Sequence, residues 1–217
     1  MLLYFTDTSM RKYLLVFPIG TVAIMWLVFG IQTLTGIDFG VFGIHPRDTS
    51  SLLGILTCPL VHGSWEHLLS NTLPLLIFGV ILFLSYEKFA IWICILNYVF
   101  TGFLVWLFAR DSFHIGASGI IYGLASYLFF SGFFRFDIKA IAIASGVAIF
   151  YGGMIWGILP IQPGVSWESH LFGGITGAVL AYMFRGVDKD NKHIEIESEH
   201  QRNIENRRTF DDFIKKL

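Results

Sequence analysis

Six stretches of about 20 residues run through this chain without an ionic side chain: Tyr13 to Leu34, His67 to Tyr86, Phe89 to Ala109, Phe113 to Phe134, Ala140 to Ile158 and Ser169 to Phe184. A helix needs roughly 20 apolar residues to cross a bilayer, so each stretch is predicted to span one. The segments lack the period-two alternation of a membrane barrel, which leaves helices. Composition agrees: of 217 residues, 54% are hydrophobic and 14% charged, far from the balance of a soluble domain. The first apolar run exceeds a signal-peptide core and has no small-residue cleavage site after it.

Short-loop charges orient the bundle. Arg11, Lys12, Lys88, Arg135, Lys139, Arg185 and Lys189 flank one side and only Arg47 and Arg110 the other, so both termini are predicted to be cytoplasmic. The expected organisation is a cytoplasmic segment over residues 1–12, a six-helix membrane domain over 13–186 and a charged cytoplasmic tail over 187–217. The tail reads as a flexible extension, with a short helix around Phe210 to Leu217 as the alternative. Cys58 and Cys94 fall at different apparent depths and read as free thiols.

Polar groups are costly in hydrocarbon, and here they gather at one depth. The second, fourth and sixth spans all start at the outer face, and their first turns hold His67 and Asn71, Ser118, and His170. Counted from Phe113, Ser118 lies about 8 Å into the apolar zone at 1.5 Å per residue. Gly119 and Gly123, and Gly173 and Gly177, are spaced for close helix approach, which brings Ser118 toward His170. A neutral imidazole within reach activates a serine hydroxyl and later protonates the leaving amine. Asp111, Asp137 and Glu168 are all badly placed for a third member, so a dyad is expected. Tyr122, one turn after Ser118, is placed to pack on the imidazole. His67 and Asn71 share a face of the second span and, with the Ser118 backbone N–H, are candidate donors to an oxyanion.

These residues carry a resemblance. Gly116-Ala117-Ser118-Gly119, the pair His67 and Asn71 preceded by His62, and His170 ahead of Gly174 resemble the motifs of the rhomboid family of intramembrane serine proteases, over about Ser51 to Phe184. The resemblance implies an all-α, six-helix rhomboid-like bundle with the serine on the fourth helix and the histidine on the sixth. It implies that His67 and Asn71 assist the oxyanion and that Tyr122 stacks on the base, with His62 and Gly116 in supporting places. It also implies that Gly36 to Glu66 lies partly in the outer leaflet and that Leu159 to Trp167 caps the site. The family's frequent tryptophan–arginine pair is not evident in the first long loop.

Two rival chemistries fit poorly. Gly-x-Ser-x-Gly hydrolases need glycine two residues after the nucleophile, where this chain has Ile120. His62-Gly63-Ser64-Trp65-Glu66-His67 resembles a zinc motif, but its histidines are about 140° apart on a helix, so no metal and no cofactor is expected. The function read from the sequence is an endopeptidase that cuts transmembrane protein substrates near their outer ends, in a bacterial plasma membrane. The alternative is a non-catalytic binder of membrane helices. The lipid bilayer is the other partner; nucleic acid is not one.

Overall fold

The computed structural model describes residues 15–186 together with 201, 202, 204, 205 and 207. Its long elements among the described residues are helices α1 (Val16–Thr35), α2 (Trp65–Ser85), α3 (Ala90–Phe108), α4 (Ser118–Arg135), α5 (Ile138–Tyr151) and α6 (Trp167–Met183). Strand structure among them is limited to one isolated bridge between Ile44 and His114. Chain contacts divide the protein into residues 1–182 and 183–217. In the second unit, residues 201, 202, 204, 205 and 207 are helical, where the sequence suggested an extension; Phe210 to Leu217 lies outside the described residues.

Helices α1, α2, α3 and α5 with its 3-10 continuation to Ile158 are long and apolar enough to cross a membrane. This is a multi-pass membrane protein. Helices α4 and α6, 18 and 17 residues long, are the two that carry Ser118 and His170. Their Ser, Gly, Tyr and His residues dilute the apolar signal, and α4 tolerates this because 11 of its residues are buried against protein rather than lipid. It packs on α2, α3 and α5. Large apolar side chains such as Leu27, Phe100 and Phe150 instead point outward, as a lipid-facing surface requires.

Local chemistry sets the ends. Ser64 caps α2 by accepting the His67 N–H at 3.1 Å, and Asp137 caps α5 by accepting the Ala140 N–H at 2.9 Å. Gly36, at φ +69°, closes α1 in the left-handed region, its N–H reaching the Gln32 carbonyl. The loop from Gly36 to Ser64 is fixed by a tryptophan and an arginine drawn from different elements. Arg47 Nη1 donates to the Ala109 carbonyl at 2.7 Å, and Trp106 Nε1 donates to the Asp48 carbonyl at 2.9 Å. The anchor missing from the loop's own sequence is thus completed by the end of α3.

Two boundaries correct the sequence reading: the α-helix of the fifth span ends at Tyr151, with a 3-10 segment to Ile158, and the start of the fourth span moves. The fourth span was expected to be helical from Phe113, but residues 113–117 are not helical and α4 starts at Ser118 itself. His114 pairs with Ile44, and the Gly116 N–H donates to the Cys58 carbonyl at 2.8 Å, so the backbone before Ser118 is spent on the preceding loop. The depth counted along a helix from Phe113 therefore does not apply.

Candidate functional site

Ser118 is half-buried at the N-terminus of α4, directly after Gly116 at φ +99° and Ala117. That φ is strained for any residue with a side chain. Space demands glycine as well: a Cβ at Gly116 would meet the His67 ring and lie 3.7 Å from Asn71 Nδ2. His67 and Asn71 thus face the backbone that leads into Ser118. The first N–H groups of α4 have no side-chain cap, and a helix N-terminus carries partial positive charge.

Asn71 is 3% exposed and its Nδ2 donates to the His67 carbonyl at 2.8 Å. His62 packs edge-on against His67 with ring centroids 4.9 Å apart. It is buried, and burial together with the neighbouring His67 pushes its pKa down to about 4, so it stays neutral. Its carbonyl accepts from Gln32 Nε2 at 3.1 Å, which ties this loop to α1.

His170 is in the first turn of α6 and is buried. Its ring stacks on Tyr122 with centroids 4.1 Å apart and planes 4° from parallel. Its Nδ1 lies 2.8 Å from the Gly157 carbonyl oxygen. A carbonyl only accepts, so Nδ1 carries the proton and Nε2 is left as the basic nitrogen. The Tyr122 hydroxyl donates to the Met154 carbonyl at 2.8 Å. The 3-10 segment Gly152–Ile158 therefore holds both rings of the stack through its backbone.

Helices α4 and α6 meet backbone to backbone. A Cβ built on Gly173 would fall 2.0 Å from the Gly119 carbonyl oxygen, and one on Gly177 2.0 Å from that of Gly123. No hydrogen bond joins Ser118 to His170 among the described residues; His170 meets the helix that carries Ser118 through the Tyr122 stack, and the two helices meet at the glycine pairs. Such bonds are often long without substrate and tighten in the reacting complex.

Among the described residues no carboxylate hydrogen-bonds to the imidazole. Asp111 pairs with His45 Nε2 at 3.1 Å, Glu168 pairs with Arg110 Nη1 at 3.2 Å, and Asp137 caps α5. The group that meets Nδ1 is the Gly157 main chain, which sequence reasoning missed because a carbonyl leaves no residue-type signature. The Arg110–Glu168 pair was also missed, although opposite charges at the ends of two adjoining spans were a readable signal.

Comparison with known proteins now decides the family. Residues 49–187 match the Rhomboid domain. The chain belongs to the rhomboid family. This rhomboid chain is 34% identical over 177 residues to an uncharacterized protein of Mycobacterium tuberculosis, covering 77% of this chain and 74% of the relative. It is 32% identical over 160 residues to a RHOMBOID-like protein 4 of Arabidopsis thaliana, covering 70% of this chain and 38% of that one. A chloroplastic Rhomboid-like protein 11 of the same plant is 30% identical over 148 residues, covering 59% and 51%.

Proposed function

We propose that this rhomboid chain is an intramembrane serine endopeptidase acting through Ser118 and His170 on transmembrane protein substrates near their outer ends. The observation that carries the reading is the parallel stack of His170 on Tyr122, one turn from Ser118, with Nδ1 committed to the Gly157 carbonyl. A tautomer fixed in this way presents an unprotonated Nε2 as base. Polar, buried groups arranged so that one nitrogen stays basic are what general-base chemistry needs.

The Ser118 Oγ–C bond forms as its proton passes to His170 Nε2, and the carbonyl oxygen becomes an oxyanion. The Ser118 N–H, at the positive end of α4, and the side chains of His67 and Asn71 are the donors that receive it. Asn71 Nδ2 carries a second proton beyond the one given to His67. Collapse breaks the C–N bond as the imidazolium gives its proton to the amine. Water then attacks the acyl ester, its proton returning through His170, and the carboxyl product leaves. His62 supports His67, and Gly116 lets His67 and Asn71 approach the backbone that leads into the serine.

A substrate helix shields its peptide bonds by its own hydrogen bonding, so it unwinds locally before cleavage, and small or helix-breaking residues near the outer interface are favoured. The reading includes six spans, both termini in the cytoplasm of a bacterium and the loop Leu159–Trp167 as the cap through which water enters. The test is fluorophosphonate labelling of purified protein and mass spectrometry of membrane proteins cleaved in cells. Wild type should be labelled at Ser118 and cleave a membrane protein; Ser118→Ala and His170→Ala should do neither while still folding. Folded wild type that neither labels nor cleaves would leave the non-catalytic helix-binding reading in its place.

A further inference from the structure

Helices α4 and α6 are tied at two levels, and the glycine contacts are only the deeper one. The second tie is polar and joins the loop that leads into Ser118 to the residues that lead into His170. Arg110 Nη1 lies 3.2 Å from Glu168 Oε2, the Arg110 N–H donates to Glu168 Oε1 at 3.4 Å, and Arg110 Nη2 donates to the Val165 carbonyl at 2.7 Å. His114 Nδ1 accepts from the Ser166 hydroxyl at 2.5 Å, and Ser166 Oγ accepts in turn from the Ser169 hydroxyl at 2.6 Å. His114 Nε2 lies 3.1 Å from the Arg110 carbonyl, which closes the cluster on itself.

Glu168 is 3% exposed, a costly place for a carboxylate. Its partner Arg110 is 44% exposed, and an ion pair open to solvent on one side adds little net stability, so stability alone is a weak reason for the pair. Directionality is a better one. Two helices touching at glycines slide and pivot about the contact, whereas hydrogen bonds of fixed geometry above it stop that motion. Ser118 and His170 lie between the two ties: Ser118 adjoins Gly119, and Ser169, at the end of the polar chain, has its carbonyl 3.3 Å from a Cβ position on Gly119.

Resting on the proteolytic reading, we propose that Arg110, Glu168, His114 and Ser166 form a brace that sets the reach of His170 to Ser118, with Glu168 and His114 as its positioning residues. Glu168 acts here on the helix that carries the base, and among the described residues no hydrogen bond joins it to the base's ring. Through Val165 and Ser166 the same brace fixes the far end of the cap, and the 3-10 segment before the cap is held at Met154 and Gly157.

The test uses the full chain in detergent with Glu168→Gln, Arg110→Ala and Arg110→Lys, read by hydrogen exchange, by the rate of fluorophosphonate labelling at Ser118, and by kcat and KM on a cleaved membrane substrate. Glu168→Gln should speed exchange in 110–118 and 166–172 together. It should lower the labelling rate and kcat about 10-fold with KM unchanged, as a sub-ångström misplacement does. Arg110→Lys should retain more labelling than Arg110→Ala. Unchanged exchange in 110–118 on altering Glu168, or labelling that falls only with the folded fraction, overturns the brace. Wild type that never labels, with the two segments still loosening together, keeps the brace and removes the protease.

Discussion

Adjacent glycines on α6 offer an internally controlled experiment. Gly173 faces α4, where a Cβ would sit 2.0 Å from the Gly119 carbonyl oxygen, while a Cβ on Gly174 meets nothing within 4 Å. Carbon and oxygen essentially never approach closer than 3.0 Å, so Gly173→Ala must push the helices apart by about 1 Å, because the obstacle is rigid backbone. His170 is one turn before Gly173 and Ser118 is next to Gly119, so the displacement falls directly between the proposed nucleophile and the proposed base. A 1 Å misplacement costs on the order of 100-fold in rate, and overpacking costs about 1–3 kcal/mol in stability. Gly174→Ala removes a flexible residue from a helix interior and should gain up to about 1 kcal/mol. Labelling rates at Ser118, with thermal melts in detergent, separate the two. Gly173→Ala labelling at the wild-type rate, or Gly174→Ala suffering the same loss, would refute the close-contact account.

Tyr122→Phe keeps the stack on His170 and loses only the bond to Met154, so turnover should fall less than about 10-fold; Tyr122→Ala removes the stack and should fall further, as kcat measurements will show. Asn71→Ala and His67→Ala should each lower kcat by about 10-fold to 1000-fold with a smaller change in KM, the signature of a lost oxyanion donor; an effect confined to KM would place these residues in binding instead. His62 has its pKa held at about 4, below its ordinary 6.5, so the unfolded chain takes up the proton first as pH falls. Its stabilising contribution is therefore complete above pH 6.5 and lost between 6.5 and 4. Melting temperatures should drop across that window, less so in His62→Gln, and a flat profile would contradict the burial argument.

Much of this was legible in the chain. Charge gaps located the helix ends to within about three residues except at the start of α4 and the end of α5, because in lipid length and apolarity leave little freedom. The glycine spacing at 119, 123, 173 and 177 correctly marked where α4 and α6 approach. What escaped was written in the backbone. Phe113 to Ala117 is as apolar as a helix start, yet its N–H and carbonyl groups pair with Ile44 and Cys58, a non-local competition that periodicity does not register. The 3-10 turn at Gly152–Ile158 looked like the end of an ordinary span, and nothing in the identities of Met154 or Gly157 announces that their carbonyls hold two rings.

That hold has an unusual genetic consequence. A carboxylate orienting a histidine is deleted by one codon change, but a peptide oxygen survives every replacement at its position. The side chain at residue 157 is restricted for another reason, since a methyl group there would strike the Tyr122 hydroxyl and lie 3.1 Å from His170 Nδ1. Mutational scans would therefore flag this glycine as a steric requirement and miss its electrostatic duty, which only an amide-to-ester exchange of the following peptide link, weakening that oxygen as an acceptor, would expose.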